Sequence, residues 1–101
     1  MGVKRLNNYT FKEAEYLVRF YFDMRNRQRL RNDVSPPENE VPLGGIISDV
    51  IAQLDEDSRR IIINEFEYNY PKQWWQEYYS KSSYYAIKGK AMKKFLAKMN
   101  R

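Results

Sequence analysis

The sequence predicts an all-α protein, because helix-start signals and helical apolar spacing recur along the chain. Thr10-Phe11-Lys12-Glu13 has the form of a capping box, and no Gly or Pro occurs between residues 11 and 30. Apolar residues recur at intervals of three and four, which places them on one face of a helix. Ile61-Ile62-Ile63 is the only β-branched run, and helix-capping residues precede it. We therefore expect a helical bundle of five helices without a sheet.

The first predicted helix covers residues 11 to about 30. Its apolar stripe consists of Phe11, Ala14, Leu17, Val18, Tyr21 and Phe22. Its last part is rich in arginine. Cations are favourable at a helix C-terminus, but Arg25 and Arg29 are also candidate contacts to an acidic partner or a phosphate. Both interpretations are open, and the helix could dimerise, pack on the rest of the bundle or add DNA contacts.

A loop or linker is predicted over residues 32–45, where Pro36-Pro37, Pro42 and Gly44-Gly45 interrupt helical patterns. We therefore divide the chain into an N-terminal part, residues 1–45, and a C-terminal helical domain, residues 46–101. That domain begins with a short amphipathic helix over residues 46–54. Its inward residues are Ile46, Ile47, Val50, Ile51 and Leu54.

The third helix is predicted from the acidic run Asp55-Glu56-Asp57 to about Tyr68. Carboxylates are stabilised at a helix start by its free amides, so Asp55 or Asp57 is the expected N-cap. A catalytic pair of carboxylates is a much weaker interpretation of the same residues.

The fourth and fifth helices are predicted over residues 71–79 and 81–98, separated by a break at Ser80. Pro71 suits the first position of a helix. Trp74 and Trp75 are adjacent and cannot both face the same way, so one is assigned to the core and the other to a candidate partner surface. The expected inward stripe of the last helix is Tyr84, Ile87, Ala91, Phe95 and Met99, flanked by Met92 and Leu96.

Composition excludes several classes of protein. The 101 residues include no Cys and no His, so disulfides and zinc sites with thiolate or imidazole ligands are excluded. No apolar run approaches the roughly 20 residues that span a bilayer, and the N-terminus lacks an apolar signal region. There is no histidine base and no glycine loop for phosphate. We expect a cytoplasmic protein without membrane contact that is not an enzyme, has no catalytic residues and needs no metal or cofactor.

Charge is arranged in blocks along the chain. Residues 1–32 carry eight Lys/Arg and three Asp/Glu. Residues 33–80 carry three Lys/Arg and ten Asp/Glu, and residues 81–101 carry seven Lys/Arg and no Asp/Glu. Separation of this kind favours a polyanion as partner of the basic segments. Solvation of a terminal helix by lysines is the alternative.

The residues that follow Ser80 are predicted to form the DNA-contacting edge of a recognition helix. This edge consists of Lys81, Ser82, Ser83, Tyr85 and Lys88, which all lie outside the expected inward stripe. The first turns of a recognition helix meet base edges in the major groove, and Lys, Ser and Tyr side chains suit bases or phosphates. Further DNA contacts are predicted at Lys72 and Lys90.

Two stretches resemble a known family. Leu54–Ile62 (LDEDSRRII) resembles the entry to region four of bacterial sigma factors, and Ser80–Phe95 (SKSSYYAIKGKAMKKF) resembles its capped recognition helix. The second stretch is more similar still to ArpU/RinA-type late transcriptional regulators of phages that infect Gram-positive bacteria. The resemblance covers residues 46–99 and implies a sigma region-four-like helix-turn-helix. It also implies promoter contacts at Lys81, Ser82, Tyr85 and Ala86, although the family usually has a polar residue at the last position.

The leading hypothesis is a DNA-binding transcriptional regulator of phage or mobile-element type that binds double-stranded DNA, alone or with RNA polymerase. One alternative is a sigma-like interaction protein that binds polymerase or a regulator without reading DNA, through Trp74 and Trp75. Another is the small subunit of a phage DNA-packaging machine. The oligomeric state is open, with a homodimer among the options.

Overall fold

Four α-helices form the framework of the protein, which we describe from a computed structural model at residues 9–30 and 42–100. Helix α1 is Phe11–Leu30, α2 is Leu43–Ala52, α3 is Glu56–Ile62 and α4 is Lys81–Met99. A π-helical turn, Ile63–Glu67, continues α3, and a 3-10 turn, Trp74–Glu77, precedes α4. The described residues contain no strand. The all-α prediction is confirmed for this part of the chain.

Three helix starts have the caps that the sequence predicts. The Thr10 hydroxyl accepts from the amide of Glu13 (3.1 Å), and the Glu13 carboxylate accepts from the amide of Thr10 (2.9 Å). Asp55 caps α3 by accepting from the Ser58 amide (3.2 Å). Ser80 caps α4 by accepting from the Ser83 amide (3.2 Å). Local side-chain chemistry thus sets where these helices begin.

The core is shared by α1, α2, α4 and the α3 segment, which consists of α3 and the π-helical turn that continues it to Glu67. The ring of Phe22 on α1 stacks against both Phe66 (centroids 6.0 Å apart) and Phe95 on α4 (5.7 Å). Helix α1 therefore packs on the rest of the bundle, which is one of the three roles left open for it. The buried apolar residues of this cluster are Ala14, Val18, Phe22, Leu43, Ile47, Val50, Leu54, Ile62, Phe66, Ala91, Met92, Phe95 and Leu96.

Two predicted elements differ from the structure. Helix α2 begins at Leu43, so Gly44 and Gly45 belong to its first turn and not to a loop. The buried Leu43 side chain anchors this turn, and the Leu43 amide donates to the side chain of Gln28 (2.9 Å). The rest of the predicted linker, residues 32–41, lies outside the described residues.

The α-helix predicted over residues 71–79 is wrong; the structure has a single 3-10 turn at Trp74–Glu77. The amide of Trp74 donates to the carbonyl of Pro71 (3.0 Å) and that of Tyr78 to Trp75 (2.9 Å), which is the three-residue spacing of a 3-10 turn. A segment this short has little helical stability of its own, so tertiary contacts decide its conformation. Contacts of its aromatic rings with α4 fix its shape.

The chain reverses direction at Asn69, where φ is 54°. Asn tolerates this left-handed conformation better than most residues. The amide of Tyr70 donates to the carbonyl of Asn64 (3.0 Å), and Arg19 on α1 donates to the Asn69 side chain (3.3 Å). This reversal brings the 3-10 turn back against the start of α4.

Candidate nucleic-acid interface

The first turn of α4 is open to solvent. Lys81, Ser82 and Ser83 are all exposed, as is about half of Tyr85, at 45%. The ring of Tyr85 packs edge-on against Phe11 of α1, with centroids 5.8 Å apart. The predicted edge is therefore exposed at these four positions, and Tyr85 is held at a fixed angle by α1.

Lysines continue along the exposed side of α4. Lys90 and Lys93 are exposed and make no ion pair with another described residue. Lys94 is bonded to Asp55 (2.9 Å) and Lys98 to the side chain of Gln53 (3.3 Å), so these two also hold α4 to the α2–α3 corner. Helix α4 contains no acidic residue. Apart from the Lys94–Asp55 pair, its outer side therefore presents positive charge with no acid on the same helix, which suits the phosphates of a polyanion.

Lys88 is not part of this exposed side, and its predicted place on the DNA-contacting edge is wrong. Only 4% of the residue is accessible. Its ammonium nitrogen lies 2.8 Å from Glu15 on α1 and 3.1 Å from Glu65. Position 88 follows Tyr84 by one helical turn and precedes Met92 by another, so it falls on the buried stripe. Two carboxylates supply the charge that a buried ammonium requires.

Glu65 holds together three elements at the base of α4. Its carboxylate accepts from the Trp74 indole (2.6 Å), from the Tyr84 hydroxyl and from Lys88. Burial, followed by the hydrogen bond to this carboxylate, raises the pKa of Tyr84 well above its ordinary value. Tyr84 therefore remains a hydrogen-bond donor at neutral pH. The cluster fixes the 3-10 turn against α4.

The tryptophans predicted to form a partner surface are both half-buried against their own chain. The Trp75 ring stacks on Tyr84, with centroids 4.5 Å apart and ring planes 10° from parallel. Trp74 meets Tyr84 edge-on at 6.2 Å. The two tryptophans are therefore not divided between the core and a partner surface. Both pack against Tyr84 on α4.

The two arginines proposed as partner contacts have different environments. Arg25 is 4% exposed, and its guanidinium bonds Glu67 at 2.6 Å. It lies over the Phe22 ring, 4.9 Å from the centroid. Arg25 is therefore not accessible for the candidate contact to an acidic partner or a phosphate, because it packs on the apolar stripe of α1. Arg29 is exposed, with one nitrogen 3.7 Å from Glu67, and remains accessible.

A cleft of about 530 Å³ lies beside the exposed start of α4, between the start of α1 and the segment that leads into the 3-10 turn. Lys12, Arg19 and Lys72 contribute cations to its lining, and Lys88 lies there with its two carboxylates. Lys72 is exposed, as its predicted role requires. Five aromatic rings form the rest of the cleft wall: those of Phe11, Tyr70, Trp75, Tyr84 and Tyr85.

Sequence reasoning missed the role of Glu15 and Glu65. Glu15 is one of three acids in helix α1, and Glu65 is one of many acids in the middle block, so neither stands out by composition. Their position one turn from core residues was the available signal, because a charged residue beside a buried stripe needs an opposite charge. Pairing with Lys88, 73 and 23 residues away, depends on tertiary contact.

Comparison of the chain with protein-family models, with curated proteins and with solved structures finds no match. The resemblance to sigma region four therefore rests on the motifs themselves. Over residues 9–30 and 42–100, no helix combines the length and apolar character needed to cross a membrane. In the same residues, no three Asp or Glu side chains are grouped so that they could hold a metal ion.

Proposed function

We propose that this protein is a DNA-binding transcriptional regulator of phage or mobile-element type, and that α4 is the helix that contacts DNA. The observation that carries the proposal is the exposed side of α4. It has exposed lysines at positions 90 and 93 and no acidic residue, and Lys81 is exposed in the first turn. Positive charge along this 19-residue helix attracts the phosphates of the DNA backbone.

The first turn of α4 suits approach to a groove. Ser82 and Ala86 are small and exposed, so the helix backbone can come close to the base edges. Lys81 and Tyr85 flank them with a cation and a hydroxyl, which are groups that read acceptors on bases. Lys90 and Lys93 lie farther along the helix, on the side of Ser82 and Ala86. We assign them to phosphate contacts, which position the helix but do not carry sequence information.

The proposed arrangement is a modified helix-turn-helix. In the usual motif a full helix crosses the backbone before the recognition helix enters the groove. Here the preceding element is the 3-10 turn Trp74–Glu77, fixed by the bond from Trp74 to Glu65. Lys72 stands just before this turn and is exposed. We assign it to the flanking phosphate contact that the crossing helix supplies in the usual motif.

The first experiment is fluorescence anisotropy with labelled duplexes from the DNA upstream of neighbouring genes, over a range of salt concentrations. The variant Lys90→Gln/Lys93→Gln removes two proposed phosphate contacts and leaves core contacts intact. Its salt slope should fall by about 1.8, since each contact contributes about 0.9. The matched control, Lys12→Gln/Arg29→Gln, removes the same charge from α1 and should change the slope much less.

Specific reading is tested separately with Ser82→Ala/Tyr85→Phe. This pair should reduce the preference for the upstream duplex over a scrambled duplex while keeping the salt slope. If the wild-type protein binds neither duplex, the proposal is overturned. The proposal is also overturned if the α1 control and the α4 variant lower the salt slope equally. DNA would then contact the whole basic surface and not α4 in particular.

A further inference from the structure

The outer side of α1 carries a second stripe, opposite the one buried in the core. Tyr16, Phe20, Asp23, Arg27 and Leu30 follow one another at intervals of four, three, four and three residues. This is the spacing by which one helix packs along another in a coiled coil. All five are exposed, and the apolar members are 70%, 44% and 87% accessible for Tyr16, Phe20 and Leu30.

The two charged members of this stripe have no partner among residues 9–30 and 42–100. Asp23 and Arg27 are one helical turn apart, yet neither makes a hydrogen bond or ion pair with another described residue. A shallow groove of about 270 Å³ runs between the side chains of this face. It is lined by Tyr16, Arg19, Phe20, Asp23, Met24 and Arg27.

We propose that this face pairs with the same face of a second copy, so that two α1 helices lie antiparallel about a two-fold axis. The register that places Phe20 against the partner's Leu30 also places Asp23 against the partner's Arg27. By symmetry each of these pairs occurs twice. Phe20 and Leu30 are covered, and Asp23 and Arg27 each meet an opposite charge.

Other pairings of the same stripe are less favourable. Parallel helices in register would set Asp23 against the partner's Asp23 and Arg27 against the partner's Arg27, which repel. The neighbouring antiparallel register would set Phe20 against the partner's Asp23 and leave a carboxylate on an aromatic ring. One register alone satisfies both kinds of side chain, and charge complementarity of this kind fixes orientation in helix pairs.

Self-complementarity argues for a second copy and not for a different protein. The apolar pair and the ion pair are each made from residues of one stripe, so no other sequence is required. The opposite side of α1 is already buried against α4, with Phe22 stacked on Phe95, so the outer side is the one available for assembly. The inference stands on α1 and does not depend on whether α4 binds DNA.

The test is analytical ultracentrifugation of DNA-free protein over a range of concentrations, with charge variants. Wild type should shift from monomer to dimer as concentration rises. Asp23→Lys alone and Arg27→Glu alone should each remain monomeric, because each sets like charges together. An equimolar mixture of these two variants should form a heterodimer, in which Lys meets Glu and Arg meets Asp.

Further variants test the charge pairing and the register. The exchange Asp23→Arg/Arg27→Asp should restore the homodimer. Because the chain has no cysteine, Phe20→Cys mixed with Leu30→Cys should give a disulfide-linked heterodimer on mild oxidation. Lys90→Glu on α4, an equal change of charge away from α1, should dimerise like wild type. Circular dichroism checks that every variant keeps its helical content.

Three results would overturn the inference. The first is a wild-type protein that stays monomeric at every concentration. The second is a dimer that survives in both single charge variants, which would place the interface elsewhere. The third is a Lys90→Glu variant that loses the dimer as fully as Arg27→Glu.

Discussion

The ammonium nitrogen of Lys88 lies 2.8 Å from a carboxylate oxygen of Glu15, which is 73 residues earlier in the chain. This ion pair joins α4 to α1 beneath the exposed first turn of α4. Glu65 completes the site from the α3 segment at 3.1 Å. One buried cation thus ties three helical segments together, directly below the side chains that we assign to DNA contact.

Lys88→Met should destabilise the fold by about 3 kcal/mol, because two carboxylates would face each other without the cation that compensates them. The methionine fills a similar volume, so little of the loss comes from a cavity. Urea unfolding followed by circular dichroism measures the change. Lys90→Met is the matched control on the exposed side of the same helix, and should stay within about 0.5 kcal/mol of wild type. Equal effects of the two substitutions would contradict the buried site.

Gly89→Ala should stabilise the protein by about 1 kcal/mol, the difference between the two residues in a helix interior. A Cβ at this position would lie 3.7 Å from Cδ2 of Phe11, which is an ordinary packing distance, and the backbone has a helical φ. Thermal or urea unfolding should show the gain. Ala86→Gly, on the same helix and exposed, should lose a similar amount. A destabilised Gly89→Ala would mean that α4 needs glycine there for a reason outside its packing.

The stability of the α3 start should depend on pH through Asp55. The hydrogen bond from Lys94, followed by that from the Ser58 hydroxyl, holds the pKa of Asp55 well below its ordinary value. Because the folded pKa is lowered, this stabilisation is present above about pH 4, the usual carboxyl pKa, and is lost as the pH falls below it.

Asp55→Asn keeps a capping side chain but removes the charge. The variant should be less stable than wild type by about 0.5 kcal/mol at pH 7, since the ion pair is largely exposed. The difference should shrink as the pH is lowered toward 2. Urea unfolding at several pH values measures it, with Glu56→Gln in the same turn as the control. A difference that stays constant from pH 7 to pH 2 would contradict the assignment.

Features encoded in a few neighbouring residues could be predicted from the sequence. The caps at Thr10, Asp55 and Ser80 and the bounds of α1 and α4 depend on local hydrogen bonds and on helical spacing, so they follow from the chain itself. The exposed first turn of α4 follows from the same spacing. These are the parts of the candidate site that sequence reasoning identifies.

The remainder depends on contacts between distant parts of the chain. The helix expected before Ser80 is a 3-10 turn, because Trp74 bonds Glu65 and Trp75 stacks on Tyr84. The residue type of Lys88 suggests a surface position, although its spacing from Tyr84 and Met92 places it on the buried stripe. Its partners, Glu15 and Glu65, lie on other helical segments, so no pattern within α4 identifies them.

Arg25→Met and Arg29→Met should separate a structural arginine from an accessible one. Both guanidiniums approach Glu67, but that of Arg25 is buried at 2.6 Å while that of Arg29 is exposed at 3.7 Å. Without Arg25, the only cation near the Glu67 carboxylate among the described residues is the exposed guanidinium of Arg29. We expect Arg25→Met to cost about 2 kcal/mol and Arg29→Met less than about 0.5 kcal/mol.

The double variant Arg25→Met/Glu67→Gln distinguishes the ion pair from simple packing. With the carboxylate charge removed, much of the loss caused by Arg25→Met should be recovered, because no buried charge is left without compensation. Urea unfolding of the wild type, both single variants and the double variant gives the coupling energy between the two side chains. Strictly additive losses would show instead that Arg25 stabilises α1 through its contact with Phe22.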